Sequence, residues 1–281
     1  MKAASHHNSV AALTGIHRGS TIWIAGSDPS LSEYPDSFLS DKLGISLHLS
    51  HKKFPEATYR YSSEYDRSEH LIAIDPIYRE KPLIAAMPMY GKTCRETKEL
   101  LSDFREVYFH RMVSYPPTGV RGEVDPSFTL WKVARTLAGK AKVWGGHGTC
   151  LHTAIYMAVL MGAGEINLIG CGHGMYKPET EHFAAVESEH HEMRPGYRSF
   201  SDPVEHVPLI EQTLALADAC RAHGIRFEWY RTFTAAMDDK IVIDPEWLAE
   251  QKVRSERKFG LARTLYWAFA KRPLNRVINL F

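Results

Sequence analysis

The apolar residues of this chain fall in short blocks, and glycine, aspartate or proline closes most of them. Thr21–Ala25 (TIWIA) predicts a buried strand that runs into Gly26-Ser27-Asp28-Pro29-Ser30-Leu31. Asp28 suits a helix N-cap and Pro29 the first helical position. The strand is therefore expected to pass through a tight turn into a helix start, whose free N–H groups favour an anion. Gly44–Leu49 alternates like a second strand and ends at Ser50-His51. Glu69–Ile74 (EHLIAI) predicts a third, ending at Asp75-Pro76, and shorter strands are expected near Leu83–Ala86 and Glu106–His110.

The pattern is strongest from Val143 to Gly174. A strand over Lys142–Trp144 meets the turn Gly145-Gly146-His147-Gly148, and a helix from about Thr149 to Met161 follows, apolar on nearly all sides. Such a helix belongs in a core. The strand Ile166–Ile169 then ends at Gly170-Cys171-Gly172-His173-Gly174. As a βαβ unit this arrangement brings both glycine-rich turns to one crevice, because ligands in open α/β sheets bind at the carboxyl ends of strands. A helix is expected near Phe128–Leu137, after a loop over Ser114–Pro126. Another is marked by Asp202 as N-cap, Pro203 as first residue and Glu205 as reciprocal acid. It runs to about His223, with Gly224 as C-cap and Ile225–Trp229 as a closing strand.

Repeated strand–turn–helix units of this kind predict an α/β fold with a doubly wound, mostly parallel, Rossmann-like sheet. We place it at residues 20–250, after a flexible N-terminus at 1–19. Residues 176–200 are irregular and crowded with His, Glu and aromatics, which marks a lid at about 175–200. A basic, aromatic helical tail occupies 251–281.

Composition changes this picture in one place. The 281 residues are 44% apolar and 24% charged, with formal net charge +1. Such a balance offers no global electrostatic case for nucleic acid. Residues 252–281 alone carry eight Lys/Arg and one acid, a local +7, so the first 251 sum to −6. An aromatic-rich cationic helix suits an anionic membrane surface; the same residues also suit a helix docked with its cations outward. The four cysteines, Cys94, Cys150, Cys171 and Cys220, show no C-x-x-C spacing. With no leader pattern and no apolar run of spanning length, the chain reads as cytoplasmic, peripheral at most on the inner face of the membrane.

His206 is the first candidate for chemistry. In the first turn of its helix the imidazole is expected to stay neutral and able to take a proton. Asp75 could hold a ribose hydroxyl, a metal or an acceptor hydroxyl, or simply form an Asp-Pro turn. Gly26, Ser27, Asp28 and Ser30 form a candidate phosphate turn that is neither G-x-G-x-x-G nor a Walker loop. Gly148, Thr149 and Cys150 open the central helix, where backbone N–H groups can meet phosphate and Thr149 can cap. His173, His182, His190 and His191 with Glu181, Glu187 and Glu189 allow a metal reading, but no H-E-x-x-H spacing occurs, and a solvated loop is the simpler account.

The order of these motifs resembles one superfamily. It joins the Rossmann-like, single-domain bacterial sialyltransferases with the motility-associated flagellin glycosyltransferases and the 6-hydroxymethylpterin diphosphokinase-like proteins. The resemblance covers about Thr21 to Thr232. Ile24–Leu31 is similar to the family's opening G-x-G-P-S-L turn, and Ile72–Pro76 to its strand ending in Asp/Asn-Pro. Gly148-Thr149 through Gly162–Gly170 resembles the central helix–strand signature, and His206 matches the place of the sialyltransferase general base. The chain departs from the family at Ser27-Asp28 (usually Asn-Gly), at Cys150 (a serine), and at Gly172 and His173, where an acid is common.

The resemblance implies a metal-independent glycosyltransferase, with no cofactor, that carries a sugar from a CMP-linked donor to a glycan or glycolipid acceptor. Ser27, Ser50 and Asp75 would face the nucleotide sugar, and Thr149 and Cys150 its phosphate. Tyr176 or His173 would help the phosphate depart, and His206 would deprotonate the acceptor. The pterin-kinase branch implies instead a diphosphotransferase in which Asp28 and Asp75 hold Mg²⁺ against ATP. A nucleotide- or glycan-binding relative without activity is the third reading.

Overall fold

The computed structural model describes residues 6–90, 92–112, 124–141, 143–144, 149–173, 175 and 203–278. In chain order the elements are β1 (His6–Ser9), β2 (Thr21–Ala25), β3 (Gly44–Leu47), β4 (Tyr59–Glu64), α1 (Tyr65–Ile74), β5 (Leu83–Tyr90), α2 (Cys94–Leu100) and β6 (Glu106–Met112). Then come α3 (Pro126–Leu137), β7 (Val143–Trp144), α4 (Cys150–Met161), β8 (Glu165–Ile169), α5 (Pro203–Ala222), β9 (Arg226–Trp229) and α6 (Pro245–Ile278).

Eight strands pair side by side in the order β1-β6-β5-β4-β3-β2-β8-β9, all parallel, and β7 adds to β6 beyond the end of β1. Helices cover both faces, so the fold is the expected doubly wound, Rossmann-like α/β fold. One apolar cluster lies around α4 and the other around Leu71, Tyr78, Leu101 and Phe104. From β2 the chain steps outward through β3, β4, β5 and β6, then returns to the opposite side of β2 with β8 and β9. The direction reverses between β2 and β8, which is where such sheets open a crevice.

Three expectations are corrected. First, the N-terminus is not frayed over residues 6–19. β1 pairs with Glu106–Phe109 of β6, and Val10 and Leu13 are buried in the core. The backbone of Gly15, His17 and Gly19 bonds to the last turn of α4. Two anchors three residues apart hide in a polar sequence.

Second, Glu69–Ile74 is the second half of helix α1, not a strand. Of its apolar residues only Leu71 is fully buried, and Ile74 is 45% exposed. The strand lies earlier, at Tyr59–Glu64, where the polar side chains of Arg60 and Ser62 are buried because their hydrogen bonds are met inside the protein. Apolar periodicity does not register such a strand.

Third, β7 and β8 are not neighbours: β7 lies on β6 and β8 on β2. The helix between them, α4, crosses beneath β2, β3 and β4, and every residue from Leu151 to Met161 is buried. That crossing explains why α4 is apolar all round. The turn 145–148, the segment 176–200 and Asp202 lie outside the described residues.

Candidate functional site

β2 and β8 end side by side, and their turns interlock. A Cβ on Gly26 would stand 2.1 Å from the Gly170 carbonyl oxygen, and Gly170 itself has φ +58°. Both positions therefore require glycine. Gly26 N–H donates to Ile169 and Asp28 N–H to Gly170, each at 2.9 Å.

Asp28 caps a single 3₁₀ turn, Pro29–Glu33, rather than an α-helix. Its carboxylate accepts from the Ser30 N–H at 3.0 Å and from the Gly172 N–H, so it bridges the β2 and β8 turns. Burial pushes its pKa up to about 6, against the lowering effect of those two N–H groups. In the expected phosphate cradle at Gly26–Ser30, the N–H groups of Gly26, Asp28 and Ser30 are bonded within the protein, and Pro29 has none. The Asp28 carboxyl stands within this turn.

The α4 N-terminus stands at the same end of the sheet, because a helix between parallel strands begins at their carboxyl ends. Thr149 caps it, accepting from the Leu151 N–H at 3.2 Å. The Cys150 thiol is pushed up to about 11, chiefly by burial and then by the Glu64 carboxylate. The Cys171 thiol is also raised by burial. Neither is activated as a thiolate nucleophile.

Three imidazoles complete this wall. His173 follows β8 with φ +48°, a conformation that costs energy in a residue with a side chain. Its ring centroid lies 6.1 Å from that of His152 on α4 and 6.4 Å from that of His206 on α5, nearly parallel to the latter at 29°. The Trp229 ring meets His173 edge-on at 5.8 Å, and its indole N–H donates to the Cys171 carbonyl at 3.1 Å. His206 is in the first turn of α5, as expected, and is buried. Thr213, two turns along α5, lies 3.0 Å from Nε2 of both His152 and His173.

Further along the carboxyl ends stand residues that no sequence motif marks. His48 follows β3 with φ +46° and its Nδ1 lies 3.4 Å from the Ser62 hydroxyl. Glu64 ends β4 and pairs with Arg67 at 2.9 Å. With Ser63 and Cys150 they extend the polar floor of the crevice from β8 to β4. Their signal was strand position, hidden because β4 was misplaced.

Two expected ligand residues fall elsewhere. The Ser50 hydroxyl donates to Ala25 at 2.7 Å and accepts from the Leu47 N–H at 2.8 Å, and the residue is fully buried. It ties the β3 turn to the end of β2. Asp75 sits at the far end of α1, which doubles back from the carboxyl end of β4 toward the start of β5. There it caps the turn Pro76–Arg79 and accepts from His51. His51 Nδ1 accepts from Arg60 Nε at 2.9 Å, so the ring's proton is on Nε2, aimed at Asp75. Burial first, and the Arg60 guanidinium second, hold His51 down at about 4. This chain locks the β3–β4 connection. Asp28 and Asp75, required around one Mg²⁺ in the diphosphotransferase reading, therefore belong to different places.

Gly148 and Tyr176 lie outside the described residues, as do His182, His190 and His191. Among the described residues no group of three His, Cys, Asp or Glu is arranged to hold a metal. Comparison of the chain with protein-family models, curated proteins and solved structures gives no match.

Proposed function

We propose that the chain is a glycosyltransferase, sialyltransferase-like, that binds a nucleotide sugar at the β2/β8 crevice and moves the sugar to a glycan or lipid-linked acceptor. The observation that carries this reading is the stack of His173 on His206 at the topological switch point, 6.4 Å between centroids. A group-transfer site needs a proton acceptor and a donor side by side in a water-poor wall, and few arrangements supply both so economically. The CMP linkage of the donor comes from the sequence resemblance.

In the reaction, His206 takes the proton of the acceptor hydroxyl as its oxygen attacks the anomeric carbon. The bond between that carbon and the phosphate oxygen breaks, and the nucleotide leaves with the electron pair. The phosphate lies at the N-terminal end of α4, where the helix favours an anion. Tyr176 or His173 assists the departure of the phosphate, as the sequence resemblance implies.

The placement of α6 supports an anionic or membrane-bound acceptor. Lys252 pairs with Glu211 at 2.7 Å and Lys258 with Glu205 at 2.8 Å. Rising numbers on α6 meet falling numbers on α5, so α6 runs antiparallel to it, toward His206. Beyond Lys258 the helix continues to Ile278, about 30 Å at the usual rise. No helix among the described residues is long and apolar enough to cross a membrane, so contact with lipid would be peripheral.

Replacing His206 with Ala tests the assignment. Transfer should fall by about 10²–10⁴-fold, the usual worth of a positioned base, while nucleotide binding persists. Unchanged turnover would remove His206 from the mechanism.

A further inference from the structure

A helix on the surface of a domain turns its apolar stripe to the core and its polar face to water. Helix α3 is inverted. Its inward side is mostly polar: Thr129, Lys132 and Thr136 are buried there with Val133. The polar atoms on that side are met inside the protein. The Thr129 hydroxyl accepts from the Gln212 amide of α5 at 3.2 Å, and the Thr136 hydroxyl donates to the Lys132 carbonyl at 2.8 Å. The Lys132 ammonium stands 4.5 Å from the centre of the Tyr156 ring on α4.

The outward side is apolar. Phe128 is 55% exposed and Trp131 53%, and Leu130 and Leu137 also face solvent. The two aromatic rings stack with 5.5 Å between centroids, and the Arg135 guanidinium lies 5.0 Å from the centre of the Trp131 ring. Spacings of three and four bring these side chains together on one face. Pro126–Leu137 holds no Asp or Glu. The Asp125 carboxylate is turned back onto the Ser127 and Phe128 N–H groups as the N-cap. Exposed Lys140 adds a second cation just beyond the helix. An exposed apolar face of this kind marks a contact surface.

We infer that the outer face of α3 docks on an anionic lipid surface. Charge and area both choose this occupant over a second copy of the chain. A symmetric contact between two such faces brings Arg135 and Lys140 of each copy to a helix without an acid to meet them. The helix has 12 residues, so its outer face covers roughly 180 Å², far short of the about 800 Å² per partner of a stable interface. A membrane sets no such minimum. Trp131 and Phe128 seat at headgroup level with the leucines beside them, and Arg135 and Lys140 meet the lipid phosphates. Two cations attract an anionic leaflet only weakly. The α3 face therefore adds apolar grip to the attraction proposed for residues 252–281 and does not hold the chain alone. This contact goes beyond the reading of the crevice and needs none of its chemistry.

The test is partition of the full chain onto vesicles of phosphatidylcholine mixed with phosphatidylglycerol, with phosphatidylcholine alone as the control. Tryptophan quenching by lipid brominated on its acyl chains reports insertion. We expect the wild type to partition onto the mixed vesicles, and the double variant Phe128→Ser, Trp131→Ser to partition about tenfold less. Trp131→Phe, which keeps an aromatic anchor, should still partition but lose part of the quenching. A wild type that does not partition, a double variant that partitions equally, or quenching unchanged in Trp131→Phe would each overturn the inference. So would a wild type that dimerises without lipid while the double variant stays monomeric, which would give the face to a second copy. None of these measurements needs a nucleotide. If partition behaves as stated but no sugar transfer is found, the functional reading fails and the α3 contact stands.

Discussion

At the level of single residues, burial changes the protonation of His51, His110 and Asp28. His51 and His110 are both held at about 4 against an ordinary 6.5, His51 chiefly by burial and His110 by burial offset slightly by the Arg111 carbonyl. Between pH 6.5 and 4 the unfolded chain takes up protons at these sites and the folded chain does not, so their contribution to stability is lost as pH falls. Asp28 acts in the opposite sense. Its pKa is raised to about 6 from 3.8, so the folded form protonates first and gains stability as pH drops through that window. Two histidines outweigh one aspartate. We expect a net loss on the order of 2 kcal/mol between pH 7 and pH 4.5, seen as a lower urea midpoint at pH 4.5. His51→Asn should flatten the dependence; a midpoint that rises on acidification would contradict this assignment.

At the scale of elements, what was legible in the sequence follows from how each piece buries itself. β2, β8, α4, α5 and β9 bury compact blocks of apolar residues, with Pro or Gly at or near their ends, and the chain announces them. β4 does not, because Arg60 and Ser62 are buried through hydrogen bonds that only the assembled fold supplies. That omission moved the strand end from Glu64 to Asp75, and with it the expected ligand. His173 and His206 were visible because they sit at a turn and beside a cap. His152 and Thr213 lie inside regular helices, and only packing brings them together. β1 and its following turn were also unreadable: they depend on Val10 and Leu13 meeting a core made elsewhere in the chain. Leu13 is fully buried, so Leu13→Ala should cost about 2–5 kcal/mol. A loss below about 0.5 kcal/mol in urea unfolding, the range of surface changes, would mean that the N-terminal segment is not docked.

At the scale of the whole molecule, the fold separates two charges. The crevice floor carries a buried acid at Asp28 and a part-buried one at Glu64, whereas the lysines of α6, Lys252 and Lys258, pair with acids on α5. The half-exposed ion pairs that dock α6 on α5 are each worth only about 0–1 kcal/mol, so the helix is oriented more than stabilised by them. If its basic stretch meets an anionic surface, the full chain should sediment with vesicles containing anionic lipid and not with zwitterionic ones, and removal of residues 252–281 should abolish this. Equal sedimentation with and without those residues would assign the cations to another partner.

On the proposed function, the β2/β8 crevice binds the nucleotide of a sugar donor. Thermal unfolding with CMP, UDP, GDP and ATP, each with and without Mg²⁺, tests it most directly. A ligand that binds only the folded state at a hundredfold excess over its Kd adds about 2.7 kcal/mol. CMP is expected to raise the midpoint equally with and without Mg²⁺. A shift with ATP alone, present only when Mg²⁺ is added, would contradict it and return the chain to the diphosphotransferase reading.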